Sequence, residues 1–399
     1  MTTMNPGLPR RRNRNARLGR GDRSWYATWF WEIDRVLLLL VAMLIGIGLI
    51  AVAAASPAEA SHHGQAPLTY FFRQLVWVAI GVPAMVTVSM LPKDMARRLS
   101  IVAAIVFAVL LALVPLVGFD VNGSVRWIGM EGLRFQPSEF LKPFFVVTLA
   151  WMLSLRAQDA SLPVIPLTGL IMAAIAFFLM VQPDFGQTVI FAAVWLALLI
   201  LSGIGLRFIG ALGAAGLAAL VAAYLFYENG RDRIDHFLGL TSVESSGPTH
   251  TDLAYRTITN GGLVGLGPGS GVRKFHLPEA HNDYIFSVIG EEFGLISCMV
   301  IALVYLAIMV RVFVKLLDEK DNFLILASAG LVIQFGLQAL INMAVNVQIA
   351  PSKGMTLPFI SYGGSSVVAI SIGFGLLLAF TRRNPYLTRS PYVVKWSGR

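Results

Sequence analysis

Asp283 is the residue whose position most invites chemistry, because it lies where a long polar segment meets a long apolar run, in HLPEAHNDYIF from His276 to Phe286. A carboxylate there can cap a helix by accepting backbone N–H bonds, or it can act as a general base if a substrate hydroxyl reaches it. Glu291 and Glu292 follow about two turns later, too far into the run to be caps, so at least one is expected to face a polar interior or a partner. A second cluster lies in RFQPSEFLK, Arg134 to Lys142. Glu139 and Lys142 are three apart and share a helical face. The simple reading is a structural ion pair. The sharper one joins Lys142 to Arg126 in SVRW and Lys353 in PSKGMTLPF as a cationic surface for a phosphate-bearing lipid head.

The elements that position these groups are set by composition. With 56% of residues hydrophobic and only 13% charged, the chain exceeds what a soluble core of this size needs. Apolar runs near the ~20 residues of a membrane-spanning helix recur between short charged connectors. Ten spans are expected: Val36–Ala55, Gln74–Leu91, Ser100–Gly118, Phe135–Leu153, Pro163–Val181, Thr188–Gly203, Phe208–Tyr227, Tyr284–Val312, Phe323–Val345 and Ser365–Phe380. The fourth holds Glu139, Lys142 and Pro143, which hydrocarbon does not tolerate, so it must face protein or water. The fold class is therefore an all-α polytopic membrane protein. Residues 1–35 form a basic arm, 36–381 the membrane domain with a large extracytoplasmic loop at 228–283, and 382–399 a basic tail.

Basic residues set the orientation. Arg10, Arg11, Arg12, Arg14, Arg17, Arg20 and Arg23 precede the first span, and Arg382, Arg383, Arg389, Lys395 and Arg399 follow the last, whereas Ser56–Leu68 has no Lys or Arg. Both termini are expected in the cytoplasm of a bacterial inner-membrane protein, with the long loop outside. The net charge of +9 is then a positive-inside bias beside anionic lipid, not a nucleic-acid footprint. The lone Cys298 gives no disulfide framework or thiol metal site, and the six histidines show no i, i+4 ligand pair. The glycine-rich run GGLVGLGPGSG, Gly261 to Gly271, lacks a P-loop's lysine and reads as a set of turns. In QPDFGQ, Gln182 to Gln187, Asp184 reads as an ordinary turn former.

Four segments in order, NGSVRWIGMEGLRFQPSEFLK, QPDFGQ, HLPEAHNDYIFSVIGEEFG and APSKGMTLPFISYGGSS, resemble the shape, elongation, division and sporulation (SEDS) family of multi-span peptidoglycan glycosyltransferases across about residues 30–385. LPEA before the His-x-Asp triplet, with GMTLPFISYGGSS, resembles the division members more than the elongation members. The resemblance implies polymerisation of lipid II into glycan strands at the division septum, with Asp283 at the family's essential aspartate. It also implies undecaprenyl pyrophosphate as leaving group, and substrate contacts from Arg126, Lys142, Glu139, Lys353 and His281. The charge on that leaving group would be met by those cations or by a divalent ion, Mg or Mn. It further implies a class B penicillin-binding transpeptidase and other division proteins as partners. Asn282, Gln187 and Arg256 depart from the family's common Thr, Thr and Gln without removing an acid or base. A lipid II flippase or a division scaffold are the alternatives, and neither needs the loop carboxylate.

Overall fold

The computed structural model describes residues 25–121, 124–130, 133–159, 161–226, 235, 249–351 and 354–383. Its helices are α1 (Trp25–Glu32), α2 (Arg35–His62), α3 (Thr69–Ser89), α4 (Lys93–Val117), α5 (Pro137–Arg156), α6 (Val164–Val181), α7 (Phe185–Leu201) and α8 (Leu206–Phe226). They continue with α9 (His250–Asn260), α10 (Ile285–Leu316), α11 (Asn322–Asn346) and α12 (Ser365–Thr381). The ten expected spans coincide with α2–α8 and α10–α12, and the protein is a polytopic α-helical membrane protein. Seven of these helices are long and apolar enough to cross a bilayer, and α7 and α12 are apolar at 17 residues each. Most of the arm, the tail from 384 and most of 227–248 lie outside the described residues.

Burial follows the charge pattern. α5, which carries Glu139 and Lys142, is the most enclosed span and packs against α4, α7, α11 and α12. α3, α4 and α6 instead turn residues such as Val76, Ile105 and Leu170 outward, as lipid-facing helices do. Asp34 caps α2 by accepting from Val36 N (2.9 Å) and Leu37 N (3.2 Å), and its other oxygen holds Arg311 and Lys315 near the end of α10 at 3.0 and 2.9 Å. The backbone of Arg383 reaches Glu32 O at 3.4 Å, so the two ends of the described chain meet at one end of the bundle.

Three features were not expected from the sequence. One is a small antiparallel sheet in the order β1 (Phe119–Val121), β2 (Ser124–Met130), β3 (Leu133–Phe135), set between α4 and α5 at the end opposite the termini. The second is a break in α10 at Gly294 (φ 80°). The amides of Leu295 and Ile296, which would bond Glu291 O and Glu292 O in an unbroken helix, bond Gly262 O (3.0 Å) and Leu263 O (3.2 Å) instead. Leu266 N and Gly267 N take the freed carbonyls, each at 3.0 Å. The glycine run is thus a backbone insert in a helix, and a Cβ at Gly294 would collide with Leu263 O and lie 2.5 Å from Gly265 N.

The third is a non-helical stretch from Gly354 to Gly364 inside the bundle, with Phe359 at φ 65°. Irregular backbone is tolerated there because side chains satisfy it. Gln74 Nε2 reaches Ser361 O (3.2 Å), Tyr305 Oη reaches Pro358 O (2.5 Å) and Gln338 Nε2 reaches Thr356 O (3.1 Å). Gly48, midway along α2, admits it, since a Cβ there would strike Phe359 O and lie 2.8 Å from Ile360 Cα. Gly48→Ala is expected to lower the melting temperature by overpacking, about 1–3 kcal/mol. The same exchange in an open helix raises stability, so the sign of the shift in a thermal melt tests the contact.

Candidate active site

Asp283 ends the loop before α10 and is half-buried, in a cleft lined by Tyr284, Asn342, Val345, Gly354 and Met355. The three carbonyls of His281, Asn282 and Asp283 are each gripped from another part of the chain. Tyr362 N donates to His281 O (3.0 Å), and Ser361 Oγ to Asn282 O (2.6 Å). Asn342 Nδ2 and Asn346 Nδ2 both donate to Asp283 O, at 2.8 and 3.1 Å. Asn342 also holds Met355 O (2.6 Å), and Asn346 Oδ1 accepts from Ser287 N (3.1 Å) and Ser287 Oγ (2.7 Å). The backbone of Asp283 is fixed while its carboxylate stays in the cleft. Gly354, at φ 56°, borders that cleft, and a Cβ there would lie in van der Waals contact with Asp283 Oδ2 at 3.4 Å.

Burial, then the carboxylates of Glu279 and Glu139, push the Asp283 carboxyl up to about 7, against the downward pull of Arg126. A carboxylate so placed is basic enough to take a proton near neutral pH. His281, two residues earlier, is buried with Nδ1 3.2 Å from Glu59 Oε2, and its ring packs on Tyr70 and Tyr362 at centroid distances of 4.4 and 5.1 Å.

Glu139 and Lys142 form a buried pair at 2.8 Å. Gln187 Nε2 donates to Glu139 (2.5 Å), and Lys142 Nζ donates to Gln338 (3.0 Å). Glu139, Lys142 and Gln338 border, with Gln334 and Phe374, a cavity between α5, α11 and α12. Gln338 and Asn342, one turn apart on α11, carry this polar line through Thr356 and Met355 to Asp283. Arg126, on β2, donates through Nε to Gln182 O (3.0 Å) and through Nη2 to Pro183 O, pinning the sheet to the α6–α7 turn. Lys353 lies outside the described residues.

Glu291 and Glu292 both face protein. Glu291 accepts from Asn260 Nδ2 (3.0 Å) and from the amides of Val272, Arg273 and Lys274 at 3.1, 2.8 and 3.0 Å. Glu292 pairs with the buried Lys274, whose Nζ also reaches Ala54 O (2.8 Å). Sequence reasoning passed over Lys274, Glu59, Asn342 and Asn346. The asparagines carried a usable signal, two amides at i, i+4 on an apolar span. Among the described residues no group of three or more His, Cys, Asp or Glu side chains could hold a metal ion. A divalent cation does not fit as a protein-caged group in these residues.

The profile of the FtsW, RodA and SpoVE family, described as cell cycle proteins, matches residues 35–386. The probable peptidoglycan glycosyltransferase FtsW of Caulobacter vibrioides is 36% identical over 368 residues, 92% of this chain and 93% of that one. The protein of the same name from Hydrogenovibrio crunogenus is 34% identical over 355 residues, 87% and 91% of the two chains. Among solved structures, a chain from a study of structural coordination of polymerization and crosslinking by a peptidoglycan synthase complex superposes with a TM-score of 0.71 at 25% identity, covering 88% of this chain and 97% of its own. The Thermus thermophilus rod shape determining protein RodA shares the fold, with a TM-score of 0.64 at 24% identity over 88% of this chain and 96% of its own.

Proposed function

This chain belongs to the FtsW, RodA and SpoVE family of cell cycle proteins, and we propose that it is the peptidoglycan glycosyltransferase that polymerises lipid II at the division septum. The observation that carries this reading is the Asp283 carboxyl, backbone-clamped in an open cleft where burial raises its basicity.

In the step proposed, Asp283 takes the proton from the C4 hydroxyl of the acceptor's N-acetylglucosamine as that oxygen attacks C1 of the donor's N-acetylmuramic acid. The new O4–C1 bond forms as the bond from C1 to the pyrophosphate oxygen breaks, and undecaprenyl pyrophosphate leaves with the electron pair. Such a leaving group needs charge stabilisation more than a proton. Arg126 retains donor capacity beyond its two carbonyl bonds, and Lys142 contributes its field from within its ion pair.

The site faces outward in a bacterial inner membrane with cytoplasmic termini, on the charge bias of the sequence. The partner is a class B penicillin-binding transpeptidase, in keeping with the peptidoglycan synthase complex among the structural relatives. The polar line through α5 and α11 is the feature that a lipid II transporter reading would use. Proteoliposomes holding the full chain, its transpeptidase partner and lipid II separate the two. Glycan polymer is expected; lipid II crossing the bilayer with no polymer would replace this reading with the transporter.

A further inference from the structure

We infer that the N-terminus of α12, in the sequence Tyr362-Gly363-Gly364-Ser365-Ser366, is an anion site for the pyrophosphate of a polyprenyl-linked sugar. This inference rests on the glycosyltransferase reading, to which it adds a place for the leaving group.

α12 begins at Gly364 (φ 54°) without a side-chain cap, at the inner end of the non-helical stretch. Ser366 N and Val367 N turn back to Gly363 O and Gly364 O, at 3.0 and 3.3 Å. The amides before them point out of the helix mouth at the positive end of its dipole. The second, independent observation is a pair of orphaned donors. Ser365 and Ser366 are 3% and 4% exposed, and neither hydroxyl has a partner among the described residues. A buried hydroxyl is rarely left unpaired. The Ser366 hydroxyl is folded back against Gly363, into the space a Cβ would fill, so it is aimed at the mouth.

The mouth is open and positively charged. Tyr362, Gly363 and Gly364 are all partly exposed. Arg73 and Trp77, one turn apart on α3, both lie beside Tyr362, and the Trp77 indole nitrogen lies 3.7 Å from where a Cβ on Gly364 would be. Arg73 itself is exposed, with its guanidinium 5.6 Å from the Tyr70 ring centroid. Backbone amides at a helix start, two hydroxyls and a guanidinium make a phosphate-binding set. Discontinuous membrane helices present anionic substrate groups with such starts.

Two further facts choose a lipid-linked anion. Phe72, Val76 and Ile80 form an exposed apolar row along α3 beside Arg73, a track for a polyprenyl chain. Tyr362 N and Ser361 Oγ also clamp the carbonyls of His281 and Asn282, so an anion at α12 lies next to the segment that holds Asp283.

The test measures binding without turnover, using undecaprenyl pyrophosphate and the full chain in nanodiscs. Ser365→Ala/Ser366→Ala is expected to weaken binding about tenfold or more, with the melting temperature unchanged or raised because no native hydrogen bond is lost. Arg73→Gln, at an exposed position, should weaken binding and reduce its salt dependence. Equal affinity of the double alanine variant and wild type would overturn the site, as would a loss of affinity accompanied by a loss of thermal stability. Competition only by polyprenyl pyrophosphate assigns the site to the lipid; equal competition by inorganic pyrophosphate overturns that assignment in favour of the free anion. If the serine pair controls binding but the wild-type chain with its transpeptidase partner does not polymerise lipid II, the glycosyltransferase reading fails and the anion site stands. If the double alanine variant polymerises with wild-type KM, the site fails and the reading stands.

Discussion

Asp283→Asn is expected to reduce lipid II polymerisation by about 10²–10⁴-fold, the usual contribution of a general base. The amide keeps the shape of the carboxylate but cannot accept the proton. The four donors that fix this segment bind backbone carbonyls, which the substitution does not touch. The variant should therefore fold and bind its transpeptidase partner. Above neutral pH the variant should even be more stable than wild type. The folded carboxyl has its pKa raised to about 7 from the ordinary value of 3.8. The folded state thus holds a proton that the unfolded chain has released across that interval, and stability falls as pH climbs through it. Asparagine removes that loss. A variant melting higher at pH 8 while making no polymer would be the signature of a site that trades stability for function. If the variant polymerised at the wild-type rate, Asp283 would be a structural residue.

The second large effect is on stability. Lys274→Ala is expected to cost about 3–5 kcal/mol, because it strands the buried Glu292 carboxylate. Lys274 also ties the loop to Ala54 on α2, so its removal frees the segment that leads into Asp283. The check is a thermal melt of Lys274→Ala against the double variant Lys274→Met/Glu292→Gln. The double variant should recover much of the loss, since it leaves no lone charge. Equal melting of Lys274→Ala and wild type would mean that water reaches the pair.

What could be read from the sequence, and what could not, divides along the range of the interactions involved. The ten spans were legible because each is one local apolar run. The inward face of α5 was legible because Glu139 and Lys142 cannot face lipid, and they do not. Asp283 stood out by its place at the loop boundary, and family resemblance gave it a role. The small sheet at 119–135 escaped the reading although Asn122-Gly123 is a hairpin dipeptide, because the strands are too short to show alternation. The basic arm of residues 1–35 also contains α1, an aromatic helix at Trp25–Glu32. The break in α10 was hidden because a lone glycine in an apolar run carries no local signal of a break, and the hydrogen bonds that replace the helical ones go to the loop at Gly262–Gly267, about thirty residues back. The clamp on Asp283 was hidden for the same reason, since Asn342 and Asn346 lie about sixty residues away.

The most direct test of the central claim is the pH dependence of lipid II polymerisation by the purified chain with its transpeptidase, at saturating and limiting substrate. The rate should climb about tenfold per pH unit below about pH 6 and level off above about pH 8, following one ionisation near the 7 of Asp283. That limb should be absent from the residual activity of Asp283→Asn. A rate that is flat from about pH 5.5 to 8.5, or the same limb surviving in Asp283→Asn, would contradict a base at this carboxylate.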